Sequence, residues 1–305
     1  MSAGGGTKAI IAALLANAGI AVAKFVGFLI TGSSSMLAES VHSVADTSNQ
    51  GLLLLGQKTS QRKATQNHPF GFGRDRYFYS FVVALLLFTL GSVFALYEGI
   101  HKLEAHEELT SPIVAVVILV LAIGLESYSF ATAIKESKAL KGDATWWEFI
   151  RKSKVPELPV VLLEDAGALL GLVLALVGVG MSTLTGDPVW DAIGTICIGV
   201  LLGVIAVILI IEMKSLLIGE GSSPAELDVI IDELAAGKVQ RVIHIRTQYI
   251  GPDELLVAAK IALDPGLETV DIAQAINDAE HRVRNKVPAA RLIYLEPDLD
   301  RSLTV

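Results

Sequence analysis

The residues that could do chemistry stand in the middle of an apolar stretch. Between Ser33 and Gly56 the chain reads SSSMLAESVHSVADTSNQGLLLLG, with Glu39, His42 and Asp46 at its centre. An ionisable side chain at membrane depth is costly, so its presence in a spanning helix marks a functional site by default. His42 and Asp46 are spaced i and i+4. That spacing puts both on one helical face about a turn apart, so an imidazole nitrogen and a carboxylate can converge on one cation. The simpler alternative is a His–Asp hydrogen bond between packed helices. Against it stands a second acidic pair, Glu164 and Asp165, inside another apolar segment.

The elements that must position these groups read as membrane spans. Hydrophobic residues make up 52% of the 305 and charged residues 18%, and the mean hydropathy is +0.57, the composition of a chain that lives mostly in lipid. The net charge of -8 excludes a generally basic, nucleic-acid-binding surface. A single cysteine, Cys197, excludes an intrachain disulfide framework and any multi-cysteine metal site. In its apolar helix it reads as a small packing residue.

Six apolar segments follow one another: a first reaching about residue 30, the stretch 33–57, then 78–100, 112–134, 159–181, and a last one ending near 211. Each is near the roughly 20 residues that a bilayer requires. No small-residue cleavage site stands out in the first, which reads as a retained helix rather than a signal peptide. Its Lys24 is expected to snorkel or to pair with an acid on a neighbouring helix. Gly167 with Gly171, and Gly199 with Gly203, permit close helix packing.

Charge sets the orientation. The connection between spans two and three carries Lys58, Arg62, Lys63, Arg74 and Arg76, and that between four and five carries Lys135, Lys138, Lys141, Arg151, Lys152 and Lys154. The connections one to two and five to six carry no lysine or arginine. By the positive-inside rule both termini and the two basic loops are cytoplasmic, in a multi-pass protein of the cell membrane. Between spans three and four lies a single lysine, Lys102, and the loop histidines His101 and His106 read as solvated.

From Pro224 onward the composition is that of a small soluble domain. PAELDVIIDELAA reads as a helix with proline in its first turn, VIHIRTQYI and ELLVAAKIALD as strands across a GPD turn, TVDIAQAINDAEHRVRNKV as a second helix and ARLIYLEP as a last strand. The order α-β-β-α-β predicts an α+β layer, ferredoxin-like in type. His244 and His281 are isolated there and read as structural rather than as ligands. The expected division is thus a six-helix membrane domain over 1–216 and a cytoplasmic α+β domain over 217–305.

Taken together, six spans, an HxxxD pair in the second, an acidic site in the fifth, a basic loop with HPFGFGR and a C-terminal αββαβ domain resemble the cation diffusion facilitator family. The runs SSSMLAESVHSVADTSNQG, NHPFGFGRDRY, VVLLEDAGALLG and RTQYIGPDELLVAAK are similar to its branch of zinc-transporter-9-like proteins. The resemblance covers nearly the whole chain. It implies a homodimeric secondary transporter rather than an enzyme, exchanging a divalent cation, usually zinc, for protons, with the cytoplasmic domains joined in the dimer. No cofactor and no nucleic acid are implied, and the bilayer is the other partner.

The family pattern takes two ligands from the second span and two, four residues apart, from the fifth. His42, Asp46 and Asp165 fill three of these places and Val161 occupies the fourth. Glu164 is the nearest substitute, although neighbours on a helix point about 100° apart, so it would require rotation or unwinding of the span. Glu39, about a turn before His42, is the other acid that would stand behind the ligands. In the loop, His68 is kept from the family's metal site but Phe72 stands where a second histidine is usual, and the cytoplasmic metal histidines are missing.

A mixed nitrogen and oxygen set suits Zn²⁺, while a site poor in imidazole shifts toward Mn²⁺, Fe²⁺ or Co²⁺. Ligands must be deprotonated to hold the cation, so protons can displace it. An intramembrane hydrolase is disfavoured because no HExxH or GxSxG occurs. A membrane sensor or scaffold that moves no metal is the other class, and flux separates the two.

Overall fold

The computed structural model describes residues 4–105 and 111–298, and His106 lies outside them. The chain divides into two compact units, one holding the sequence up to Lys58 together with Phe78–Lys214, the other Thr59–Tyr77 together with Ser215 onward.

The first unit is helical. α1 (Gly4–Thr31) and α2 (Ser34–Ser60) meet at Gly32, whose φ of 65° is open to glycine at no steric cost. A third stretch comprises α3 (Asp75–Leu86), a π-helical segment Leu87–Val93 and α4 (Phe94–Ala105). α5 (Pro112–Lys141), α6 (Trp146–Lys152), α7 (Glu157–Thr185) and α8 (Val189–Ile218) follow. Among the described residues four helices are long and apolar enough to cross a membrane by length and composition: Asp75–Glu104, Pro112–Lys138, Glu157–Thr185 and Val189–Ile218.

Three features differ from the expected elements. α5 runs past residue 134 because no breaker intervenes before Gly142, at φ 54°. α6 has a capping box that the T-x-x-E pattern encodes: Thr145 Oγ1 accepts from the Glu148 N–H at 3.2 Å, and Glu148 Oε2 accepts from the Thr145 N–H at 3.0 Å. Cys197, expected as a packing residue, is exposed on α8. Small residues do set helix spacing: a Cβ on Gly199 would lie 2.9 Å from the Leu96 nitrogen, and Ser92 Oγ donates to the Gly199 carbonyl at 2.8 Å.

In the second unit α9 (Pro224–Leu234), β1 (Val239–Gly251), β2 (Glu254–Leu263), α10 (Thr269–Lys286) and β3 (Leu292–Asp298) form the order α-β-β-α-β. β1 and β2 pair antiparallel, with Thr247 opposite Val257, and β2 pairs parallel with β3, with Ala258 opposite Tyr294. Alternation along the strands sends Tyr249, Leu255, Val257 and Ile293 into a core with Ile230 and Leu234 of α9 and Ala279 and Val283 of α10. Tyr249 donates to Glu226 Oε1 at 2.9 Å, and burial first, then this bond, pushes its phenol above the ordinary range.

The basic connection 59–77 belongs to this unit, whereas the expected boundary at 216 groups it with the helices. Gly73 explains the placement. A Cβ there would lie 2.7 Å from the Ile250 carbonyl oxygen and 3.0 Å from Gly251 Cα, so only glycine lets the loop reach the hairpin. Arg76 adds an ion pair to Asp253 at 3.6 Å.

Candidate cation site in the helical unit

α2 is amphipathic in the inverted sense. Glu39, His42, Ser43, Asp46 and Asn49, spaced three and four apart, are all buried, while Val44 and Leu55 are exposed. A helix that turns its polar stripe inward and its apolar side outward matches a lipid surround, not water. Each polar group must then find its partner inside the helical unit.

Some do. Lys24 of α1 donates to Glu39 Oε2 at 3.0 Å and to Ser43 Oγ at 2.8 Å. Asn49 Nδ2 donates to Glu164 Oε1 of α7 at 2.7 Å. The Asp46 and Glu164 carboxyls are close enough to interact electrostatically. Asp165, one residue on, accepts from Ser129 of α5 at 2.9 Å. Glu126 of α5 is buried as well.

Others do not. His42 Nε2 stands 3.6 Å from Asp46 Oδ2, beyond ordinary hydrogen-bond length. Both ring nitrogens of His42, and Asp46 Oδ1, are buried without a hydrogen-bond partner. A buried polar atom left unpaired costs about 1–3 kcal/mol, so this cluster is held at a cost that a bound cation would offset by taking the free lone pairs. His42 Nδ1 lies near Gly91, in the π-helical segment, where a Cβ would sit 3.8 Å from it. π-helical turns recur at functional sites, and this one was not legible as an interruption in the apolar run.

Of the predicted residues, the structure thus brings Asp46 against Glu164 and sets His42 a turn away on the same helix. α7 is continuous from Glu157 to Thr185, so Glu164 reaches α2 with no local unwinding. The expected geometry had the Val161–Asp165 face toward α2. Instead Val161 packs with Ala133, Ile150 and Leu162, and Asp165 turns to Ser129 of α5. The 100° step between residues 164 and 165 is obeyed, but the rotation of α7 about its axis assigns the steps to different neighbours. Among the described residues no group of three or more His, Cys, Asp and Glu side chains is gathered as a metal cluster. Glu39 is engaged by Lys24. His68 lies in the other unit, exposed, with its ring 4.6 Å from that of Phe72.

One buried acid escaped the sequence reading. Asp191, at the start of α8, is fully buried and accepts from Ser33 Oγ at 2.9 Å, from the Ser34 N–H at 2.9 Å, from Ser34 Oγ at 3.1 Å and from Ser35 Oγ at 2.6 Å. The serines stand uncharged at the start of the stretch 33–57, and nothing in the sequence gives Asp191 such partners.

Comparison with known proteins adds the following. A family model described as the cation efflux transmembrane domain matches residues 10–218. The proton-coupled zinc antiporter SLC30A9, mitochondrial, of Xenopus laevis is 32% identical, over 89% of this chain and 50% of that protein. Its counterpart in Mus musculus is 31% identical, over 84% of this chain and 46% of that protein. Metal tolerance protein C4 of Arabidopsis thaliana is 30% identical, over 83% of this chain and 56% of that protein. The chain spans about half the length of these curated relatives.

Proposed function

The chain belongs to the cation efflux family, whose transmembrane-domain model covers residues 10–218, and from that premise we propose that it exchanges a divalent cation, zinc first, for protons across a membrane. The observation that carries this reading is the set of unpaired, buried lone pairs on His42 and Asp46, beside an acid of α7. His42 and Asp46 hold the cation with a carboxylate from α7. Glu164 serves in the conformation described, because it already touches α2, and Asp165 is the adjacent candidate that a turn of the helix would bring in. Mn²⁺, Fe²⁺ and Co²⁺ are the alternative cargoes, since the site has only one imidazole.

Exchange follows from competition. The same carboxylates and imidazole bind a cation only when deprotonated, so a proton arriving from the far side releases it. α1 and α2, 28 and 27 residues long, exceed the length needed to cross about 30 Å of hydrocarbon at roughly 1.5 Å per residue. With the four apolar helices they complete six spans, with both termini and the two basic connections on the cytoplasmic side. The α-β-β-α-β unit, ferredoxin-like in type, is the cytoplasmic dimerisation module. The relatives named as proton-coupled zinc antiporters support the choice of cargo and counter-ion.

Reconstitution tests the proposal. Purified full chain in vesicles loaded with a zinc-sensitive and a pH-sensitive dye is expected to let protons run down an imposed proton gradient while zinc moves the opposite way. A protein that moves none of the four metals would be a scaffold, and the transport reading would be wrong.

A further inference from the structure

Lys24 is a buried charge beside the site that the transport scheme leaves unused. It is fully buried, as is its partner Glu39, with Nζ 3.0 Å from Glu39 Oε2 and 2.8 Å from Ser43 Oγ. The other oxygen of Glu39, Oε1, has no hydrogen-bond partner and rests on α7 at Gly171, where a Cβ would lie 2.5 Å from it. Glu39 is three residues before His42 and seven before Asp46, so the three side chains share one face of α2. Without Lys24, Glu39 would be a further oxygen donor on the face that carries the cation site.

We propose that Lys24 is a tethered cation that masks Glu39, keeping this carboxylate out of the cation site and so setting the site's selectivity and grip. The inference rests on the cation-site reading above. An ammonium is a compact, strongly hydrated charge. In the buried unit its water is replaced by the Glu39 carboxylate and the Ser43 hydroxyl, which leaves the carboxylate engaged through Oε2. The site then offers one imidazole with few oxygens. Unmasking Glu39 adds a hard oxygen ligand and removes one positive charge, and both changes favour a divalent ion, most of all one that prefers oxygen and high coordination such as Mn²⁺. A carrier that grips too tightly also releases slowly, so the mask protects turnover. Lys24 is a positioning residue here, acting through Glu39 rather than on the cargo.

The test is equilibrium titration of the purified full chain with zinc chloride and with manganese chloride, for wild type, Lys24→Met, Glu39→Gln and the double variant. Masking predicts opposite signs. Lys24→Met tightens manganese binding on the order of tenfold, the scale on which groups behind metal ligands act, and lowers the zinc-to-manganese preference. Glu39→Gln weakens both metals, because an ammonium without its counter-charge now stands beside the site. The double variant recovers toward wild type. A pair that merely staples α1 to α2 shifts both single variants the same way, or leaves the metal preference unchanged, and either result overturns the proposal.

Lys24→Met leaves a buried unpaired carboxylate and can fail to fold. In that case Glu39→Gln and the double variant decide, since masking requires the double to bind metal more tightly than Glu39→Gln alone and a staple does not. Wild-type protein that binds neither metal would refute the cation site itself, a result separable from both.

Discussion

Two buried polar clusters lie about two turns apart along α2, and they are built on opposite principles. At its N-terminus, Ser33, Ser34 and Ser35 give four hydrogen bonds to the carboxylate of Asp191, and Thr195 Oγ1 stands 3.0 Å from the hydroxyls of Ser34 and Ser35. The Ser34 N–H is one of the donors that a helix start leaves without a partner, and a carboxylate there also suits the helix dipole. Lys102 completes the symmetry by donating to the Gly32 carbonyl, at the C-terminal end of α1, at 2.8 Å. Further along, His42 and Asp46 keep buried lone pairs unpaired. A polar cluster that satisfies itself anchors a helix and has no capacity left for a ligand. The unsatisfied one costs stability and retains that capacity.

The contrast is broken most directly at the site. Asp46→Ala removes a charged group with an unpaired oxygen, so zinc flux in vesicles is expected to fall to the background of empty vesicles. The thermal midpoint of the protein in detergent is expected to stay level or rise, because a buried, partly unsatisfied carboxyl has been deleted. Flux near wild type would move the cation elsewhere. A large drop in the midpoint would make the His42–Asp46 cluster structural, like its neighbour.

At the anchor the signs reverse. Asp191→Ala removes the acceptor of the Ser33 hydroxyl and of the Ser34 N–H in a buried setting, while Ser34 and Ser35 keep Thr195 and Ser35 keeps the Asp191 carbonyl; unpaired buried donors cost about 1–3 kcal/mol each. We expect a loss of about 2–6 kcal/mol in chemical or thermal unfolding, with zinc affinity per folded molecule unchanged. Stability equal to wild type would mean that the serines re-pair among themselves or with Thr195, and that the anchor is weaker than its geometry suggests.

These two clusters were unequally legible in the sequence, for physical reasons. The stripe Glu39, His42, Asp46 stands out because charge in an apolar run is improbable without a use. Lys24 reads as snorkelling or as pairing with an acid on a neighbouring helix, and of the two it pairs, with Glu39. The α-β-β-α-β order follows from short-range alternation and turn chemistry, which the sequence carries locally. Asp191 was missed because its partners are more than 150 residues away in the chain and serines next to glycine look like any turn. The assignment of Glu164 to α2 and Asp165 to α5 depends on how far α7 is rotated, and periodicity fixes relative faces but not which neighbour each face meets. The docking of Gly73 against Ile250 and Gly251 is likewise long-range.

Val161→His, with the smallest expected effect, probes which face α7 turns to α2. Val161 is four residues before Asp165, on the same face, and packs with Ala133, Ile150 and Leu162 beside Phe130 and Ile134. An imidazole there enters an apolar cluster on the α5 side. Val161→His is therefore expected to cost about 1–3 kcal/mol of stability, from overpacking and from a buried polar ring without a partner. It should leave the zinc-to-manganese preference unchanged, while Glu164→Ala removes binding. The opposite pair of results, a shift toward zinc in Val161→His and retained binding in Glu164→Ala, would show that the cation is held by the Val161–Asp165 face. α7 would then have to turn by about one residue's 100° between the state described and the state that grips the ion. In that event the contact between Asn49 and Glu164 at 2.7 Å would belong to the ion-free state and break on loading. The two titrations would thus distinguish a fixed site from one assembled by rotation.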